Sequence, residues 1–211
     1  LNLARVERRG GKAFVLDGNE ASLAETCRAM EDELRGAAPD GLEIYYMGGI
    51  ELIAVARGGS PHIVPTEPFI HSFPVEEVRA APGWEEDGGT VETLARLRSF
   101  IEEAAARLER RRAGGGSELG LVAKWPSRAM EVEAFEERHG MSAAGAVSTP
   151  CFTGMWEALS MRIEEVSMSA GGEDLEAKVA AAERLLRGGR EVVFVHSKHA
   201  EEAAKHGVIK G

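Results

Sequence analysis

Aromatic residues are scarce in this chain: seven Phe, three Trp and two Tyr make up 6% of its 211 residues. Cysteine is scarcer still. Cys27 and Cys151 are too few and too far apart in sequence to suggest a disulfide framework. No apolar run approaches the roughly 20 residues of a membrane-spanning helix, so the sequence reads as soluble, with no membrane partner. Basic charge is in deficit, 25 Lys and Arg against 35 Asp and Glu, for a net charge of -10. A surface of that sign repels polyanions and excludes nucleic-acid binding through a broad basic face. An initiating Met and a charged-then-apolar leader are both absent, since the chain opens on Leu1. The expectation is a cytoplasmic mature chain or fragment.

What is present is enough for a core. The hydrophobic fraction of 44% excludes a disordered or collagen-like chain, and the length suits one large domain or two modest ones. The negative charge is uneven: residues 1–142 carry a net -8 and residues 143–211 a net -2. Arg107, Arg110, Arg111 and Arg112 bunch together, as cations do at the C-terminal end of a helix, and read as a solvated helix end rather than a phosphate patch.

The pattern along the chain divides in two. LNLARVERRGGKAFVLDG predicts a hairpin turning at Gly10-Gly11. Ser22 and Glu25 have capping-box spacing, and Leu23, Cys27, Met30 and Leu34 share a helical face. LEIYYM (42–47) and IELIAVA (50–56) predict a second hairpin around Gly48-Gly49. Residues 58–89 are rich in Gly and Pro and read as a long connecting segment. Leu94, Leu97, Ile101, Ala104 and Leu108 predict a helix over 90–112, with Glu103 and Arg107 paired at i,i+4. From residue 143 strands and helices alternate: GAVST, a helix with Pro150 in its first turn, RIEEVSM, a helix with Leu175, Val179, Ala182 and Leu186 on one side, EVVFVH, then a helix beginning in HAEEAAKHG. That alternation predicts a parallel sheet covered on both faces.

An open α/β sheet binds ligands beyond the carboxyl ends of its strands, which singles out residues 148–153, 167–172 and 196–206. The last stretch holds His196, His199, Glu201, Glu202, Lys205 and His206. On a helix Glu202 and His206 are i,i+4 and can share a divalent ion; the alternative is a polar, solvent-facing helix start. Cys151 near a helix N-terminus is either a nucleophile with a histidine as base or a buried or semi-buried structural thiol. The turn SMSAGG (167–172) can hold a phosphate on its amides, and Arg128 can pair with an anion or serve as an exposed structural Arg.

In order and spacing, FEERHGMSAAGAVST followed by MRIEEVSMSAGGEDLEAKVAAAERLLRGGREVVFVHSKHAEEAAKHG resembles the archaeal-type cofactor-independent phosphoglycerate mutases, a branch of the alkaline phosphatase superfamily. VPTEPFIHSFPVEEV is similar to the Pro-rich linker of that family, and the hairpin–helix–hairpin unit to its inserted substrate domain. The resemblance implies interconversion of 3- and 2-phosphoglycerate through a phospho-enzyme, with a Ser/Thr-type nucleophile and two divalent metals. It also implies departures. The family nucleophile and first metal-binding Asp are expected before residue 1, and an Asp-His ligand pair after Gly211. The acidic ligand stretch reads Glu201-Glu202-Ala203-Ala204-Lys205, with Lys205 where a ligand His falls and His206 one place late. Glu51 and Thr153 stand where the family carries Arg and Lys. Its Gly-Ala-Thr-Gly turn reads Met168-Ser169-Ala170-Gly171, and Arg128 alone keeps a basic family position.

The expectation is therefore an α/β fold, a partial alkaline-phosphatase-like parallel sheet with an α+β inserted domain. Residues 1–142 form the inserted, substrate-type domain with linker 58–89, and residues 143–211 a partial core of three βα units. No catalytic residue is assigned; Arg128 is the substrate-binding candidate, and Glu202 and His206 are the metal candidates. The resemblance implies a divalent metal (Mn, Mg or Zn), with a chain that binds none as the alternative. The expected partner is a phosphorylated small molecule. Loss of basic contacts points to a chain not competent for the family reaction, the alternative being a non-catalytic binding or assembly module.

Overall fold

A computed structural model describes residues 1–16, 20–67, 73–111, 118–166 and 175–197. Internal packing divides the chain into two compact units, Leu1–Arg128 and Ala129–Gly211.

The first unit is an antiparallel sheet with helices on one face. β1 (Asn2–Arg9) and β2 (Lys12–Val15) form the first hairpin, in register from Val6↔Val15 to Arg9↔Lys12. Its turn residues Gly10 and Gly11 have φ of 56° and 79°, a pair of left-handed values that only Gly adopts without strain. β3 (Leu42–Gly48) and β4 (Glu51–Ala56) form the second hairpin. β4 pairs with β1 at Asn2↔Glu51, on the edge that β1 also offers to β2. The opposite edge of β1 pairs with β7 (Glu118–Val122), a strand the sequence pattern does not announce.

α1 (Glu20–Ala29), α2 (Glu31–Arg35) and α3 (Gly88–Arg111) cover the sheet. The face predicted for the first helix is the buried one: Leu23, Cys27, Met30 and Leu34 join Leu3, Leu42, Ile44, Leu52, Phe100, Ala104, Leu108 and Leu121 in one core. The capping box is not formed. α1 begins at Glu20, so Ser22 lies inside it and its hydroxyl accepts from Arg5 at 3.3 Å. Arg107 is occupied at the C-terminal end of α2, where its guanidinium donates to the carbonyls of Glu33 (2.7 Å) and Gly36 (3.2 Å).

The connecting segment 58–89 is woven into this unit over its described residues. β5 (Ile63–Val64) and β6 (Arg79–Ala80) pair with each other, and Ile63 and Val78 pack on Leu94. Buried Thr66 accepts from the Ala123 amide through its hydroxyl (2.7 Å), and its own amide donates to the Ala123 carbonyl (2.8 Å).

The second unit carries a parallel sheet in the order β10-β8-β9. Its strands are β8 (Ala143–Val147), β9 (Arg162–Glu165) and β10 (Val192–Val195). α5 (Pro150–Ala158) links β8 to β9, and α6 (Leu175–Arg187) lies between β9 and β10 in the chain. The first link runs one way across the sheet and the second runs back past β8. Right-handed crossovers in opposite directions place the two helices on opposite faces. Central β8 is accordingly buried along its whole length. Gly145 faces the Trp156 indole of α5, with Ala143 and Val147 in the same core, while Ala144 and Ala146 point the other way and are fully buried. α4 (Phe135–His139) packs Phe135 into that core, so this unit begins before residue 143, where the sequence pattern changes.

One expected face is corrected. α6 buries Lys178, Ala181 and Leu185, whereas Leu175, Val179 and Leu186 are about half exposed. No helix among the described residues is long and apolar enough to cross a membrane.

Candidate functional site

The strand order places β8 between its two successors, which are reached by crossovers running in opposite directions across the sheet. In open α/β sheets ligands bind in the crevice at such a switch point, beyond the carboxyl ends of the strands, which here is the place between β8 and β10. Two of the three stretches expected from the sequence meet there. Thr149, just past β8 and the N-cap of α5, puts its hydroxyl 3.4 Å from Nδ1 of His196, just past β10. The third stretch, 167–172, lies outside the described residues.

The local geometry follows from the strands. The His196 amide donates to the Ala146 carbonyl at 3.3 Å, extending the β10–β8 ladder by one residue. Its imidazole stacks on Phe152 of α5, with ring centroids 3.6 Å apart and planes 23° from parallel. Lys178 is fully buried on α6 and its ammonium donates to the His196 carbonyl at 2.7 Å. Burial lowers the pKa of that amine, because desolvation disfavours its charged form. On the β9 side, the Thr153 hydroxyl lies 3.4 Å from both the Glu165 carboxylate and the Thr149 carbonyl of its own helix. Cys151, in the first turn of α5, is exposed, which corrects the buried structural alternative.

The other candidates fall elsewhere. Arg128 is exposed and closes the first unit. Glu51, also in the first unit, accepts from Lys124 at 3.2 Å. His199, Glu201, Glu202, Lys205 and His206 lie outside the described residues, as does Met168-Ser169-Ala170-Gly171. Glu165 and Lys178 are the site residues that sequence reasoning missed, whereas Phe152 lies within the expected stretch 148–153. For Lys178 a signal existed, its i,i+3,i+7 spacing with Ala181 and Leu185.

Comparison with known proteins bears on what this crevice belongs to. No family model matches the chain. In sequence it is 25% identical over 230 residues to the 2,3-bisphosphoglycerate-independent phosphoglycerate mutase of Methanopyrus kandleri, an alignment covering all of this chain and 52% of that protein. In structure, the cofactor-independent phosphoglycerate mutase of Thermoplasma acidophilum superposes with a TM-score of 0.51 at 20% identity, over 92% of this chain and 53% of that one. The chain matches the cofactor-independent phosphoglycerate mutases. A Pyrococcus horikoshii protein shares the fold as well, with a TM-score of 0.52 at 14% identity, over 92% of this chain and 45% of that one. The chain thus spans about half the length of the relatives it matches, and its mixed α/β architecture, one parallel sheet with additional antiparallel sheets and helices, is consistent with an alkaline-phosphatase-like core with insertions.

The mutase match implies a divalent metal, and the donor set can be tested for one. Among the described residues no three His, Cys, Asp or Glu side chains group so as to hold an ion. At the switch point the His196 ring is stacked on Phe152 and its Nδ1 faces Thr149. These described side chains do not fit a divalent-metal site. The expected ligands Glu202 and His206 are not among them.

Proposed function

We propose that the chain is a cytoplasmic, phosphoglycerate-mutase-like protein of the metal-dependent phosphatase and phosphotransferase superfamily, and that it does not by itself interconvert 3- and 2-phosphoglycerate. The match to a mutase over all of this chain and 52% of that protein supports the first part. One juxtaposition carries the second: Thr153, standing where the resemblance implies Lys, has the Glu165 carboxylate 3.4 Å from its hydroxyl. An ammonium there would attract a phosphoester dianion. The carboxylate repels it, by about 1 kcal/mol per pair of unit charges 4 Å apart in a water-like medium. The net -8 of residues 1–142 acts in the same direction, and Lys205, an ammonium where the resemblance implies a ligand His, removes a metal ligand.

A coupled mutase assay on 3-phosphoglycerate with added Mn tests this reading. No turnover above the buffer blank is the expected result; robust Mn-dependent formation of 2-phosphoglycerate would overturn it.

A second reading, a non-catalytic binding or assembly module, draws support from the outward face of β3 and β4. Tyr45, Met47, Ile53 and Val55 there are 46, 39, 46 and 37% exposed. Sedimentation velocity on the wild type and Ile53→Lys discriminates. An associated species lost in the variant favours the module, and a monomer in both removes self-assembly through this face.

A further inference from the structure

Every main-chain and side-chain contact described for His196 converges on one geometry, and Lys178 supplies the contact that comes from the far side of the sheet. We infer that Lys178 is a positioning residue for the switch-point crevice: by holding the His196 carbonyl it fixes the direction in which the imidazole leaves the strand end. The inference rests on the reading of that crevice as the ligand site, and its structural part can be tested apart from it.

The seam of α6 is an unfavourable place for a lysine. Its neighbours there are Ala181 and Leu185, both buried, and an apolar residue would fill position 178 without desolvating a charge or freezing a long side chain. A lysine retained there needs a compensating partner, and the 2.7 Å bond from Nζ to the His196 carbonyl is a short, charge-assisted one. The amide of the same residue is held by the Ala146 carbonyl. With both peptide groups of His196 tied, one to β8 and one to α6, the backbone cannot rotate to release the ring. The imidazole then lies flat on Phe152, with Nδ1 toward Thr149. Loss of the Lys178 bond frees the carbonyl side alone, so the strand pairing survives and the ring direction does not.

The experiment follows the histidine ring. Imidazole resonances are recorded for the wild type, Lys178→Met and Lys178→Arg, with His196→Gln assigning the signals and Phe152→Leu showing the shift without the stacked ring. The expected result is an upfield ring-current shift of His196 in the wild type that is lost in Lys178→Met at unchanged circular dichroism, and at least partly restored in Lys178→Arg, which keeps an N–H donor. An unmoved His196 signal in a folded Lys178→Met protein would overturn the inference. Should Lys178→Met not fold, the wild type decides: Lys178 Hζ protons with an Overhauser contact to the His196 main chain support the bond, and their absence overturns it. A parallel titration with 3-phosphoglycerate is expected to show about tenfold weaker binding in the folded Met variant. If the wild type binds no 3-phosphoglycerate while the ring shift still depends on Lys178, the ligand reading fails and the positioning role stands.

Discussion

A Cβ added at Gly145 would lie 2.1 Å from Cε3 of Trp156, so the indole of α5 rests on the bare backbone of the central strand. The closeness lets the largest side chain of that helix fill the space between Ala143 and Val147. Gly145→Ala must push the ring off the strand, and the expected cost is about 3 kcal/mol, at the upper end for overpacking. Denaturant unfolding of Gly145→Ala and of Gly145→Ala with Trp156→Leu checks the mechanism. The double variant should be more stable than the sum of its single effects allows; strict additivity would show that the contact is not the cause.

Cys27 places a titratable group in the buried core of the first unit. Burial, with a lesser effect from the Glu31 carboxylate, pushes its thiol up to about 11 from an ordinary value near 9. The folded state thus keeps a proton that the unfolded chain releases above pH 9. Stability is fully present below that pH and is lost as pH rises from about 9 to about 11, by up to roughly 2 kcal/mol. Cys27→Ala should be less stable at pH 8 yet lose less than the wild type between pH 9 and 11, in parallel denaturant titrations. Thiol titration under native conditions at pH 8 should modify exposed Cys151 quickly and Cys27 only after unfolding.

α6 shows how a sound pattern can select the wrong face. Leu175, Val179, Ala182 and Leu186 repeat at four, three and four, and on hydropathy alone that stripe is the better candidate for burial. The structure buries the neighbouring stripe because the aliphatic stem of Lys178 packs like an apolar residue once its amine reaches a carbonyl. Leu185→Ala is therefore expected to cost about 2–4 kcal/mol and Val179→Lys less than about 0.5 kcal/mol, as read from thermal or urea unfolding. A large loss from Val179→Lys would return the buried face to the original stripe.

Elsewhere the legible features were local ones. Two hairpins were visible because their turns carry paired glycines between apolar strands, and the Leu23, Cys27, Met30, Leu34 stripe because it lies on one helix. What escaped depends on partners distant in sequence. β7 is a strand only because β1, more than a hundred residues earlier, offers it an edge. The strand ends at 148–153 and 196 were visible as candidate positions. That they face each other across one crevice follows from the order β10-β8-β9, which is a pairing between strands and not a property of any one of them. Ser22 misled for the opposite reason: capping spacing is a local signal, and two more residues of helix upstream sufficed to place it in the interior.

The charge on the β9 side of the strand ends gives the last prediction. Thr153 and Glu165 are close enough to hydrogen-bond, and Glu165 is exposed, so a lysine introduced at 153 can meet the carboxylate without being buried. In Thr153→Lys alone the new ammonium is expected to pair with Glu165, an exposed ion pair worth less than about 1 kcal/mol, which leaves the crevice near neutral at that edge. In Thr153→Lys with Glu165→Gln the same ammonium has no carboxylate beside it and is available to a phosphoester. Isothermal titration with 3-phosphoglycerate should rank the double variant above Thr153→Lys, and that above the wild type, with about a tenfold gain in affinity from wild type to double variant. The gain should shrink as salt is raised, since it arises from exposed charges. Equal affinities across the series would mean that the Thr153–Glu165 edge is not where the phosphate binds, and that the absence of mutase turnover must have another cause.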